Sequence, residues 1–181
     1  MKTKTDFRWL TKIVLISVVA SIVFTFTSTE ILGRAGFIVS FAMLAVFIVI
    51  GIIFDMIGLA VAAAKEAPFH SMAAHREHGA MESLRLIKNA DKVTSFCNDV
   101  VGDVTGIISG TIAALVAARL MHGLSTENLL FPLLISGVVT GLTVGGKAVG
   151  KAFTFNNSTA IVLRVGKLIH ILRLKSSSNN S

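Results

Sequence analysis

The chain has 181 residues, 53% of them hydrophobic and 15% charged, with a mean hydropathy of +0.77. A soluble domain carries roughly 25% charged residues, so composition excludes an ordinary soluble domain, and the single Cys97 excludes a disulfide framework or a cysteine metal cluster. The net charge of +7 goes with 12 Phe, one Trp and no Tyr; in so apolar a chain a basic excess faces an anionic membrane surface rather than nucleic acid.

A membrane-spanning helix needs about 20 mostly apolar residues. Residues 1–12 form a basic N-terminus, with Lys2, Lys4, Arg8 and Lys12. The first span follows at 13–29. It is read as retained, because Thr25-Phe26-Thr27-Ser28-Thr29-Glu30 offers no small-x-small cleavage site. The second span covers 35–64 and is interrupted once by Asp55. Residues 68–90 are too polar to span, but Phe69, Met72, Ala73, Ala80, Leu84 and Ile87 recur at helical spacing, with Gly79 as a break. This predicts one or two helices lying at the membrane surface. The third span, 93–120, carries Asn98, Asp99 and Asp103 near its start, and the fourth, 129–149, is rich in glycine. Asn156-Asn157-Ser158 reads as a loop. Residues 158–174 then read as a basic amphipathic helix, with Arg164, Lys167, His170 and Arg173 among aliphatic residues. Residues 175–181 read as a disordered polar tail.

Lys and Arg concentrate at the N-terminus, in 65–92 and after Lys147, whereas the other two loops hold Arg34 and Arg119 alone. Cytoplasmic loops carry the Lys/Arg excess. The sequence therefore predicts a multi-pass protein of the cell (inner or plasma) membrane with both termini cytoplasmic. The expected fold is all-α: a single membrane domain over 13–174, with four transmembrane helices, a cytoplasmic juxtamembrane helical segment and a C-terminal belt-like basic helix.

The functional signal is carboxylates inside spans. An ionised group at bilayer depth costs at least ~2.5–3.5 kcal/mol. At 1.5 Å per residue, Asp99 and Asp103 lie about 9 and 15 Å from the start of their span and Asp55 about 13 Å from the end of its own. On a wheel of about 100° per residue, Asn98, Asp99 and Asp103 share an arc with Gly102, Gly106 and Gly110. Gly137, Gly141 and Gly145 repeat the same spacing in the fourth span, which predicts close packing of the two glycine faces, with Asp55 turned to that seam. Three readings stay open: hard oxygen ligands for Mg²⁺; a proton or Na⁺ relay; or a structural pair of Asp99 or Asp103 with Lys147. Ser17, Ser21, Thr25 and Ser28 read as packing polar groups. His75 and His78 lack the spacing of a zincin helix, and no nucleophile arrangement or phosphate-binding loop is present, so no enzymatic activity is expected.

From Ala63 to Thr111 the chain resembles the membrane domain of the CorB/CorC and CNNM family of magnesium transport proteins. Ala64-Lys65-Glu66-Ala67 stands for that family's small-x-Glu motif. Gly79-Ala80 with Asp91-Lys92 stands for its juxtamembrane pattern, and Cys97-Asn98-Asp99-Val100-Val101-Gly102-Asp103 for its Gly-Asn-x-x-x-Asn opening of a span. Val144-Gly145-Gly146-Lys147 with Gly150-Lys151 is similar to its Gly-Glu-x-x-Pro-Lys stretch without the acidic residue and the proline, and 153–172 is similar to its belt helix. The resemblance implies a Mg²⁺ site around Asn98 with Glu66 toward the cytoplasmic mouth, and a homodimer. The family's nucleotide-binding CBS-pair domain has no counterpart in these residues, so no nucleotide is expected. Asp55, Asp99 and Asp103 have no equivalent in the family pattern. The expected function is binding, and transport, of a divalent cation by Asp103, Asp99, Asn98, Asp55 and Glu66; the alternative is a non-transporting scaffold or subunit whose carboxylates are neutralised by Lys147 and Lys151. The expected partners are anionic lipids at the cytoplasmic face and a second copy of the chain.

Overall fold

The computed structural model describes residues 7–34, 36–124 and 130–178. Among them the chain forms helices and short connections, without a strand. The helices are α1 (Phe7–Arg34), α2 (Phe37–Ala63), α3 (Glu66–Ala74), α4 (Ala80–Lys88), α5 (Ala90–Ser95), a π-helical stretch (Phe96–Gly102), α6 (Asp103–Leu124) and α7 (Leu130–Ser178). Four stretches are long and apolar enough to cross a membrane: Phe7–Thr27, Phe37–Ala63, Ala90–Met121 and Leu130–Arg173. Their outward surfaces are lined with exposed Val, Leu, Ile and Phe, including Val14, Ile22, Ile38, Val46, Leu134 and Val138. Soluble monomers do not expose apolar surface on that scale, and the chain is a membrane protein.

Two compact units divide the chain: Met1–Ile52 with Asp99–Gly146, and Ile53–Asn98 with Lys147–Ser181. In the first, α1 lies against α6, and its half-buried positions, among them Ile13, Ser17, Ser21 and Thr25, recur every three or four residues. The side chain of Ser28 lies outside the described residues. Leu44 packs with Val104, Ile108, Ile112, Ala113 and Val116 in the core. Lipid is as apolar as leucine, so such helices are held by close packing and polar ties rather than by the hydrophobic effect. Gly51 is one such close approach, since a Cβ there would stand 2.7 Å from the Thr105 hydroxyl. Arg119 Nη1 donates to Ser40 Oγ at 3.2 Å. Hydroxyls along the spans satisfy themselves by donating to carbonyls one turn back, as Ser109 does to Thr105 O and Thr143 to Val139 O.

In the second unit α3 and α4 are joined by a reversal that uses positive φ at Arg76 (56°) and Gly79 (84°). Phe69, Leu84, Ala60, Val61 and Val162 form its core. Gly79 and Gly166 allow backbone-to-backbone approach, because a Cβ on either would meet the other segment's main chain. Ser83 Oγ lies 2.8 Å from Gly79 O and 3.1 Å from Val162 O. The buried Glu82 faces His170 Nδ1 at 3.1 Å, and Glu77 pairs with Lys167 Nζ at 3.0 Å. The hydrogen bond from His170 holds the Glu82 carboxyl below its ordinary range, against the opposing push of burial.

Two sequence expectations are corrected and one is narrowed. The break expected as a loop at 156–158 is a kink between two helical stretches of α7, with Asn157 alone out of helical geometry (φ −123°, ψ 20°). The Asn157 amide donates back to Phe153 O, 3.0 Å away. The tail is helical as far as Ser178, and 179–181 lie outside the described residues, as do 1–6 with Lys2 and Lys4, and residues 125–129. The glycine faces do not interlock: Gly106, Gly110, Gly137, Gly141 and Gly145 each face open space within 4 Å. Small residues permit close packing of helices but do not by themselves choose a partner.

Candidate functional site

The polar centre of the second unit is built where the end of α2 runs beside α5 and the start of the π-helical stretch. Gly58 makes it close. A Cβ at that position would collide with Asn98 Oδ1 and stand 3.0 Å from Cys97 Cβ. Without it, the Asn98 carbonyl oxygen lies close beside α2 at Gly58. Beside it, Thr94 Oγ1 donates to Gly58 O at 3.1 Å. Cys97 is buried in the same place.

Asn98 Oδ1 is buried and accepts no hydrogen bond among the described residues. Leaving a buried acceptor unmatched costs about 1–3 kcal/mol. The atom stands within seven residues of π-helix, Phe96–Gly102, a geometry that appears mostly as single turns and frequently at functional sites. At its end, Thr105 Oγ1 lies 2.8 Å from Val101 O and 3.0 Å from Gly102 O.

The expected ligands are not gathered as one set. Asp55 is bound to Lys147, with Oδ2 3.0 Å from Nζ. The expected pairing of Lys147 with Asp99 or Asp103 is therefore corrected: Lys147 spends its charge on Asp55, which shares its unit. Asp99 and Asp103 are exposed on the chain. Glu66 opens α3, where its negative charge suits the helix N-terminus, and sits 3.5 Å from His70 Nε2, both side chains being about half exposed. Among the described residues no three His, Cys, Asp or Glu side chains converge in a metal-holding group. Any ligand set centred here thus depends on amide and main-chain oxygens as much as on carboxylates.

Among the described residues, the first unit holds at least two cavities. One of about 270 Å³ is lined by apolar residues including Phe41, Leu44, Val116 and Leu134. The other, of about 300 Å³, is walled by Gly110, Ala113, Ala117, Pro132, Ser136 and Thr140. Neither wall contains a titratable side chain.

The sequence reading missed Gly58, Thr94, the π-helical widening and the Asp55–Lys147 pair. The first was available as a signal, since Gly51 and Gly58 are seven apart, two turns on one face of the second span. Compared with known proteins, the chain matches no family model, no curated protein and no solved structure, and the site stands on its own geometry.

Proposed function

We propose that this membrane protein binds a divalent cation, Mg²⁺ by donor chemistry, at the π-helical stretch around Asn98, and that binding serves transport. The observation that carries this reading is the buried, unmatched Asn98 Oδ1 inside a π-helical turn. An amide oxygen is a hard donor, and Mg²⁺ takes one or two carboxylates and keeps several waters. Asp99 and Asp103, one and five residues further along, provide carboxylates that no lysine or arginine neutralises among the described residues. Asp55, already held by Lys147, leaves the ligand set and acts as a fixed charge pair. Glu66 is assigned to the cytoplasmic mouth on the resemblance to the CorB/CorC and CNNM family. Bound Mg²⁺ would supply positive charge to the Asn98 oxygen and the neighbouring carboxylates.

The orientation follows the Lys/Arg distribution: both termini and residues 65–92 are cytoplasmic, with α3, α4 and α7 beyond Asn157 at that surface. A span needs about 20 residues, and Leu130–Arg173 has 44, so its later half has to leave the hydrocarbon.

The test is thermal unfolding of the purified chain against Mg²⁺. A ligand at about 100 times its Kd stabilises by about 2.7 kcal/mol. Wild type should melt higher with millimolar-range Mg²⁺, Asn98→Ala should lose the response, and Asp99→Asn and Asp103→Asn should weaken it. An unresponsive wild type would overturn the reading. The second reading, a scaffold or subunit without transport, is favoured by one observation, the Asp55–Lys147 pair; it gives no Mg²⁺ response in any variant.

A further inference from the structure

Residues 128–181 contain Lys147, Lys151, Arg164, Lys167, Arg173 and Lys175 and no aspartate or glutamate. Two of these cations are neutralised, Lys147 by Asp55 and Lys167 by Glu77. Lys151, Arg164, Arg173 and Lys175 are exposed and have no carboxylate within ion-pair distance among the described residues. Beyond the Asn157 kink, α7 buries one side of itself, with Val162 and Gly166 seated against the segment that carries Gly79 and Ser83.

The opposite side has an order of its own. With Arg164 at zero and about 100° per residue, Lys175 falls near 20°, Leu168 near 40°, Ile171 near 340° and Leu172 near 80°, while Val162 and Gly166 fall near 160° and 200°. The outward face is therefore a patch of Leu168, Ile171 and Leu172, 61%, 59% and 67% exposed, bracketed along the axis by Arg164 and Lys175. Apolar residues in the centre with long cationic side chains at the ends is the pattern of a helix lying in the headgroup region. The stems of Arg and Lys follow the apolar surface and their charged ends reach phosphate.

We infer that this face, centred on Leu168, Ile171 and Leu172 with Arg164 and Lys175 as headgroup ligands, docks on a bilayer surface containing anionic phospholipid. The inference rests on the placement of residues 158–175 at the cytoplasmic surface and is independent of the cation site. Charge complementarity selects the occupant. An apolar partner surface alone would leave Arg164 and Lys175 unmatched, whereas an anionic leaflet attracts both.

The experiment uses the full chain with Cys97→Ala as background and a spin label on Leu168→Cys, reconstituted in nanodiscs of phosphatidylcholine with or without phosphatidylglycerol. Collision rates with oxygen and with a water-soluble nickel chelate report depth. With anionic lipid, the oxygen-to-nickel ratio should rise about threefold over zwitterionic lipid, and Arg164→Gln with Lys175→Gln should abolish the rise. Raising the salt to about 0.5 M should reduce it in the unmodified face, a check that needs no charge variant to fold. A label reached freely by the nickel reagent in both lipids would overturn the inference and the surface placement together. A label deep in both lipids and indifferent to salt and neutralisation would overturn the inference while leaving the placement intact.

Discussion

Gly58 and Lys147 are the two residues on which the polar centre turns. A methyl at Gly58 must displace the Asn98 carbonyl oxygen and would stand 3.0 Å from Cys97 Cβ as well. Overpacking of this kind costs about 1–3 kcal/mol. Gly58→Ala should therefore lower thermal stability by that amount and reduce any Mg²⁺ response, both read in the same melting series. Lys147 is different, because its removal leaves a charge rather than a clash. The side chains of Asp55 and Lys147 are 13% and 28% exposed. Breaking a buried pair costs about 3–5 kcal/mol, and replacing both partners by apolar residues is often neutral. We expect Lys147→Met to destabilise by about 3 kcal/mol, the lower end of that range because the pair is partly exposed. Asp55→Leu combined with Lys147→Leu should restore most of it. Denaturation of wild type, Lys147→Met and the double variant gives the answer, and a double variant as unstable as the single would show that the carboxylate has a further partner.

At the scale of elements, the spans were legible because they are a property of composition over about 20 residues; the second span expected at 35–64 is observed at Phe37–Ala63. Gly79 was legible as a break because a positive φ favours glycine. The π-helical stretch was not, since Phe96-Cys97-Asn98-Asp99 carries no residue pattern that separates i→i+5 from i→i+4 bonding. The break after the fourth span was legible from the composition of Asn156-Asn157-Ser158, but not that it narrows to one non-helical residue, Asn157. The Asp55–Lys147 and Glu82–His170 pairs join residues 92 and 88 positions apart, and no local signal reports such distances. The second of these pairs has a consequence for acid stability. The Glu82 carboxyl is held below its ordinary range chiefly by His170. A carboxylate with a lowered folded-state pKa contributes stability that is present above its unfolded value and is lost as pH falls through the folded one. Wild type should therefore lose stability on acidification below about pH 4.5, and Glu82→Gln, less stable at neutral pH, should show a flatter profile there. Parallel melting curves from pH 7 to about 3.5 check this; identical slopes for the two proteins would contradict it.

The whole molecule has two features that a purely structural membrane protein does not need: an unmatched buried oxygen in a widened helical turn, and carboxylates in a spanning stretch that no lysine or arginine neutralises among the described residues. Each is unfavourable alone, and the proposed cation would relieve both. The most direct measurement is equilibrium Mg²⁺ binding to the chain in nanodiscs by titration calorimetry, wild type beside Asn98→Ala and the Asp55/Lys147 double leucine variant. The account predicts about one Mg²⁺ per chain for wild type and for the double variant, and none for Asn98→Ala at the same concentrations. No heat of binding to wild type, or binding by Asn98→Ala as tight as wild type, would contradict it.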